Sequence, residues 1–182
     1  GLKAAIAAAE GRVAVTCFSS NVARIQSIIK AAQANDRSVA IVGRAIKRAM
    51  SAAQEVGYLR DLPDFVAEED IELLPRENIV IICTGTQGEP RAAMAKIAAG
   101  THESVTLDPG DTVIYSSRQI PGNEPAIAKV QDALIRRRIN LVTDDDAPVH
   151  VSGHPSRDEM VEMYGLVKPR IAIPVHGTAR HL

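Results

Sequence analysis

A chain of 182 residues suits one domain and can bury a real core. Its hydrophobic share of 46% is ordinary for a globular protein, and with 3% aromatics and no Trp the core must come from Ala, Val, Ile and Leu. A formal net charge of -1 excludes a polyanion binder held by overall charge, but leaves room for a local basic groove.

Strand and helix patterns alternate almost throughout. Residues 2–10 are Ala-rich and helical, and the β-branched run Arg12–Phe18 (RVAVTCF) predicts a strand. Ser19-Ser20-Asn21 can cap a helix over 21–34, whose Val22, Ile25, Ile28 and Ile29 fall at helical spacing. A strand at Ser38–Gly43 and a helix over 45–56 follow, with Gly57 placed to end that helix. Leu59–Pro75 is polar and irregular, with a short helix at Glu68–Leu74. Asn78–Thr84 (NIVIICT) is the most apolar strand, which places it centrally. Then come a helix over 90–99, a strand at Asp111–Ser116 and a helix over 123–138. Arg136, Arg137 and Arg138 lie in the last turn of that helix, where the dipole favours cations. Strands at Asn140–Thr143, Pro148–Val151 and Arg170–Val175, with a helix over 157–166, complete the pattern. The whole predicts an α/β fold, a mostly parallel sheet flanked by helices. No run is apolar enough to span a bilayer, and no signal peptide is visible. Cys17 and Cys83 share no metal or redox spacing and read as reduced core residues of a cytoplasmic protein. The chain stops at Leu182 directly after a His-rich motif, an ending that suggests a piece of something larger.

In an open parallel sheet, ligands bind beyond the carboxyl ends of the strands. Here those segments are rich in Gly, Ser, Thr, Asn, Gln and His: Thr16–Asn21, Gly43-Arg44, Thr84–Glu89, Ser116–Glu124, Ser152–Ser156 and His176–His181. Glycine lets backbone approach a ligand closely, and a helix N-terminus favours anions. With Arg44 and Arg118 added, six such loops predict a phosphate or nucleotide site. In Ser152-Gly153-His154-Pro155-Ser156 two hydroxyls flank an imidazole on a tight turn, a set that can surround a phosphate. His154 could serve as a general acid, its ordinary pKa lying near neutrality. The bland reading is a helix cap, since Ser156 and Glu159 match a capping box. Glu89, at a helix start, could simply satisfy the dipole, and Asp144-Asp145-Asp146 reads as a solvated turn. His176, directly after a strand and followed by Gly177, is placed to ligate a metal. A catalytic zinc site needs at least three protein ligands, however, and the isolated His102 and His150 read as structural or exposed. Further ligands for His176 must then come from outside the chain.

TCFSSNVARIQ, TGTQGEPRAA, AAGTH, IPGNE, VHVSGHPS and IPVHGTARHL, in that order, resemble the β-CASP region of the bacterial ribonuclease J family, within the metallo-β-lactamase superfamily. The resemblance covers essentially the whole chain. It implies a single Rossmann-like β-CASP domain over 1–182, excised from a metallo-β-lactamase domain that carries two zinc ions. It implies that Ser152, His154 and Ser156 receive an RNA phosphate, including a 5′-monophosphate end, and that His176 reaches the zinc site. It further implies 5′→3′ exo- and endoribonuclease activity on single-stranded RNA in RNA decay and rRNA maturation, and a homo-oligomer. The family's HxHxDH metal motif is absent here, and its usual final HGE reads His176-Gly177-Thr178, which removes a carboxylate from metal-site support. The competing reading is a non-catalytic module that binds a nucleotide or RNA phosphate; a small-molecule α/β enzyme is weaker, because neither a dinucleotide fingerprint nor a nucleophile elbow occurs.

Overall fold

The strands β1 (Val13–Thr16), β2 (Ser38–Val42), β3 (Phe65–Val66), β4 (Ile79–Cys83), β5 (Thr112–Tyr115) and β6 (Asn140–Val142) form one sheet. Their order is β3-β2-β4-β1-β5-β6, and every neighbouring pair is parallel. The structure is a computed structural model that describes residues 1–174. β1, β4 and β5 are buried along their whole length, as a parallel sheet covered on both faces requires. The period of two divides their side chains between two apolar clusters. Val13, Val15, Val39, Ile41, Val80, Ile82 and Ile114 point to one face, where α2 (Val22–Gln33) and α3 (Arg44–Glu55) bring Ile25, Ile28, Ile29, Ile46 and Met50. Ala14, Ala40, Val42, Ile79, Ile81, Cys83, Val113 and Tyr115 point to the other, where α4 (Ala93–Ala99) and α5 (Glu124–Arg136) bring Met94, Ile97, Ile127 and Leu134. The α1 helix (Leu2–Ala7) adds Leu2 and Ile6 to the first cluster.

This is the parallel α/β fold expected from the alternation, and β4 is an inner strand as its apolarity predicted. Asn21 caps α2 with its side chain, which accepts from the Arg24 amide at 3.0 Å. Gly57 follows α3 with φ of 78°, a conformation glycine tolerates. Four local expectations change. The Leu59–Pro75 stretch contains β3, a two-residue edge strand too short to show period-two alternation. The helix at Glu68 is a 3-10 helix, Glu68–Leu73, which buries Ile71. Pro148–Val151 is not a strand: Val149 is buried, but its carbonyl accepts from the Ser116 hydroxyl at 2.7 Å rather than from a ladder. Residues 171–174 are also non-strand, and the end of that expected strand at Val175 lies outside the described residues.

Residues Gly1–Val151 form one compact unit, and a second begins at Ser152. The second contains α6 (Arg157–Val167), whose side chains are all exposed. Cys17 and Cys83 are buried and free, and burial pushes the Cys17 thiol up to about 12, so neither is a poised nucleophile. Among the described residues no helix is long and apolar enough to cross a membrane.

Candidate nucleic-acid interface

β1 and β4 are neighbours, yet the chain leaves them in opposite directions: from β1 through α2 to β2, and from β4 through α4 to β5 on the far side of β1. Their two following loops therefore part, and parting loops leave a crevice at the carboxyl end of the sheet. A cavity of about 810 Å³ lies there, lined by Cys17–Ser19 after β1, Gly43, Arg44, Ala45, Lys47 and Arg48 after β2 and Thr84–Thr86 after β4. Three of the six loops singled out from the sequence thus meet in one place.

The cavity is cationic. Arg44, Lys47, Arg48, Arg91 and Lys96 line it against Glu68, Glu89 and Glu103. Lys47 pairs with Glu68 at 2.6 Å; no ion pair among the described residues engages Arg44, Arg48, Arg91 or Lys96. The placement of Arg44 and Lys47 is itself informative. They occupy the first turn of α3, which contains no acidic residue and lacks a side-chain cap, so cations crowd the positive end of the helix dipole. That arrangement costs stability by itself and is relieved by an anion at the same spot. Gly43 opens this turn at φ 114°, and a Cβ there would lie 3.2 Å from the Thr84 hydroxyl, so glycine lets the two loops close on each other. His102 also lines the cavity; its Nδ1 accepts from the Ser104 amide at 3.3 Å, and burial lowers its pKa. Sequence reasoning singled out Arg44 but passed over Lys47, Arg48, Arg91 and Lys96, and it read His102 as structural or exposed. The cations do show in the sequence, as Arg/Lys at the start of a helix where acids are the norm.

The loop after β4 is held by its own middle residue. Gln87 is buried, and its amide donates to the Arg118 carbonyl at 3.0 Å while its carbonyl accepts from the Ile120 amide at 2.9 Å and from Asn123 at 3.3 Å. It therefore ties the TGTQGE loop to the SSRQIPGNE loop after β5. Gly88 makes that contact possible, since a Cβ there would fall 2.4 Å from the Ala126 backbone. Glu89 does not start a helix as expected: α4 begins at Ala93, and the Glu89 carboxylate instead accepts from the Gln87 amide at 2.9 Å. Asp144–Asp146 is a turn, with Asp146 accepting from the Thr143 amide at 2.9 Å and hydroxyl at 2.8 Å.

Ser152, His154 and Ser156 fall in the second unit, on a turn before α6 that follows no strand of the sheet. The Ser152 hydroxyl accepts from the His154 amide at 3.1 Å. Ser156 forms the capping box that the spacing predicted: its hydroxyl accepts from the Glu159 amide at 3.3 Å, and the Glu159 carboxylate accepts from the Ser156 amide at 2.6 Å. These amide bonds hold the Glu159 carboxyl below its ordinary range. The expected metal ligand His176, and Thr178 beside it, lie outside the described residues. Among the described residues no three His, Cys, Asp or Glu side chains gather into a set that would hold a metal ion, so this part of the chain does not fit one by itself.

Residues 10–134 match the family model described as ribonuclease J, β-CASP domain. The chain belongs to this family. Residues 147–182 match a second model, described as a Zn-dependent metallo-hydrolase RNA specificity domain. Among similar proteins, a ribonuclease J from Sinorhizobium meliloti is 50% identical over 97% of this chain and 31% of its own length. One from Mycolicibacterium smegmatis is 49% identical over 97% of the chain and 32% of its length. A Helicobacter pylori ribonuclease J is 34% identical over 96% and 25%, respectively. The chain thus spans about a third or less of the length of these relatives.

Proposed function

We propose that this ribonuclease J family chain is the RNA-holding, β-CASP portion of a metal-dependent 5′→3′ exo- and endoribonuclease that acts in RNA decay and rRNA maturation. The observation that carries the reading is the cavity at the carboxyl ends of β1, β2 and β4, where four cations without ion-pair partners among the described residues and the uncapped start of α3 converge. Such a cavity holds phosphates through charge and backbone N–H groups, which positions a strand without reading its sequence. Single-stranded RNA fits best, because its backbone can follow a groove between loops.

The remaining assignments extend this reading. Residues 1–182 are one β-CASP portion of a longer cytoplasmic protein, a homo-oligomer in which a metallo-β-lactamase domain supplies most ligands to two zinc ions. Ser152, His154 and Ser156 receive an RNA phosphate, such as a 5′-monophosphate, with His154 as the proton donor to the leaving oxygen. The Ser156 hydroxyl can do this while capping α6, because a hydroxyl that accepts from an amide still has its own proton to donate. His176 is the metal ligand contributed from here.

Binding to a 5′-phosphorylated oligoribonucleotide tests the central reading. Arg44→Ala with Arg91→Ala should weaken it about 30-fold at low salt and reduce the slope of log K against log[salt] by about 1–2, the signature of lost phosphate contacts. An unchanged affinity and slope would refute it. The 182-residue chain alone should show no zinc-dependent cleavage. In the longer enzyme, His154→Ala should slow single-turnover cleavage at unchanged zinc content, whereas His176→Ala should lower zinc content; the reverse pattern would exchange their roles.

A further inference from the structure

A second cavity, about 490 Å³, opens at the carboxyl ends of β5 and β6. It meets the cationic cavity at Thr86, which lines both. The two differ in chemistry. The second is lined by Tyr115, Ser117, Gln119, Gln131, Asp144 and Asp145, with Arg118 as its one cation. Arg118 lies 3.5 Å from the Asp144 carboxylate, so its charge is already answered. Two carboxylates against one paired cation repel a phosphate. They suit a neutral ligand that donates hydrogen bonds from hydroxyl or amino groups.

Tyr115 and Ser117 add the decisive observation. Each is only 4% exposed, and among the described residues the Tyr115 Oη and Ser117 Oγ have no hydrogen-bond partner. Burying an unsatisfied hydroxyl is unfavourable, so two on the wall of one cavity call for a group that completes them. Their neighbour Ser116 is satisfied by the Val149 carbonyl at 2.7 Å, which shows that this strand end does not lack acceptors in general. On the other wall, Asp146 fixes the turn that presents Asp144 and Asp145. The volume falls within the range of about 300–1,000 Å³ common for small-molecule sites.

We propose that this second cavity is a ribonucleoside subsite that recognises the sugar hydroxyls of one nucleotide whose phosphate is held in the adjoining cationic cavity. The inference rests on the phosphate reading above and deepens it. A 2′-hydroxyl both donates and accepts, and it is the group by which a protein separates RNA from DNA. Asp145 and Gln131 offer acceptors to it, and Tyr115 and Ser117 offer hydroxyl donors.

The test compares affinities of the full chain for a 5′-phosphorylated oligoribonucleotide and for the oligodeoxyribonucleotide of the same sequence. The wild type should prefer RNA about ten-fold. Tyr115→Phe with Ser117→Ala should lower RNA affinity about ten-fold, to the level of DNA, and leave DNA binding unchanged. The same pair should leave the thermal midpoint equal or higher, because both substitutions remove unsatisfied groups; a structural role would lower it. Asp145→Asn, at an exposed position, should lower RNA affinity about three-fold without touching DNA binding, and it reports independently if the double variant folds poorly. No preference for RNA in the wild type, or equal effects of these variants on RNA and DNA, would overturn the subsite. Arg44→Ala with Arg91→Ala should weaken RNA and DNA alike. If those two substitutions change neither affinity, the phosphate reading fails, while the Tyr115, Ser117 and Asp145 variants still decide whether sugar recognition exists.

Discussion

The two ends of the sheet are built on opposite principles. At the amino-terminal end, charges are buried and tied together. Arg12, 1% exposed, donates to Glu72 at 2.6 Å and to the carbonyls of Thr106 at 2.8 Å and Ile71 at 3.1 Å. The Asp111 carboxylate accepts from the Arg12 amide at 2.8 Å and the Asp108 amide at 2.7 Å, and pairs with Arg76, which also pairs with Asp108 at 2.9 Å. Arg37 joins from the start of β2 by donating to the Gly11 carbonyl at 2.6 Å. Only the Arg12 Nε lacks a partner among these groups. At the carboxyl end, among the described residues, Arg44, Arg48, Arg91 and Lys96 have no ion-pair partner, and three buried hydroxyls, those of Thr16, Tyr115 and Ser117, have no hydrogen-bond partner. Within one sheet, satisfied charge marks the end that holds the fold together, and unsatisfied polarity marks the end proposed to meet a ligand.

This contrast can be broken from either side. The largest effect should come from Arg12→Met, which takes the guanidinium from the buried Ile71 carbonyl and removes one of the donors to the Thr106 carbonyl and to Glu72. It should cost about 3 kcal/mol of stability by urea unfolding, with RNA affinity of the folded protein unchanged. A loss below about 1 kcal/mol would mean the network is ornamental. Gln87→Leu, on the open side, should cost about 1–2 kcal/mol, and because it unties the loops after β4 and β5 it should also lower RNA affinity a few-fold. An effect on stability alone would show that the loops keep their places without it.

The smallest effect is one of pH. Burial raises the Glu72 carboxyl, but hydrogen bonds from Arg12 and Thr106 outweigh it, and the net position is below the ordinary 4.5. A carboxyl depressed in the folded state contributes stability above its unfolded pKa and loses it as pH falls through the folded value. Wild type should therefore lose its advantage over Glu72→Gln as pH drops below about 4.5. Urea midpoints from pH 7 to pH 3 check this; a constant difference would remove Glu72 from the acid response.

Much of the fold was legible residue by residue. The apolar runs Val13–Val15 and Ile79–Cys83, the helical spacing of Ile25, Ile28 and Ile29, and the Ser156–Glu159 capping box were all readable, because each depends on neighbours within a few positions. β3 was not, because two residues show no period, and Pro148–Val151 read falsely as a strand, because an apolar run does not reveal whether a ladder partner is available. The loops flagged for chemistry were legible as segments rich in Gly and polar residues, but how they divide was not. Those after β1, β2 and β4 share one cavity, that after β5 shares another with the acidic turn after β6, which read only as a solvated turn, and Ser152–Ser156 belongs to the second compact unit.

The sequence by itself therefore determined the element types, the parallel α/β class, the capping of α2 and α6, and, through long motifs, the ribonuclease J family. Strand order was decided only in three dimensions, since pairing β1 with both β4 and β5 rests on contacts some 65 to 100 residues apart. That order opens the crevice between diverging loops and gathers Arg44 with Arg91. It also leaves Tyr115 and Ser117 lining a cavity with hydroxyls that no described residue partners. Local chemistry is written in adjacent residues, whereas a cavity exists only once distant strands have been laid side by side.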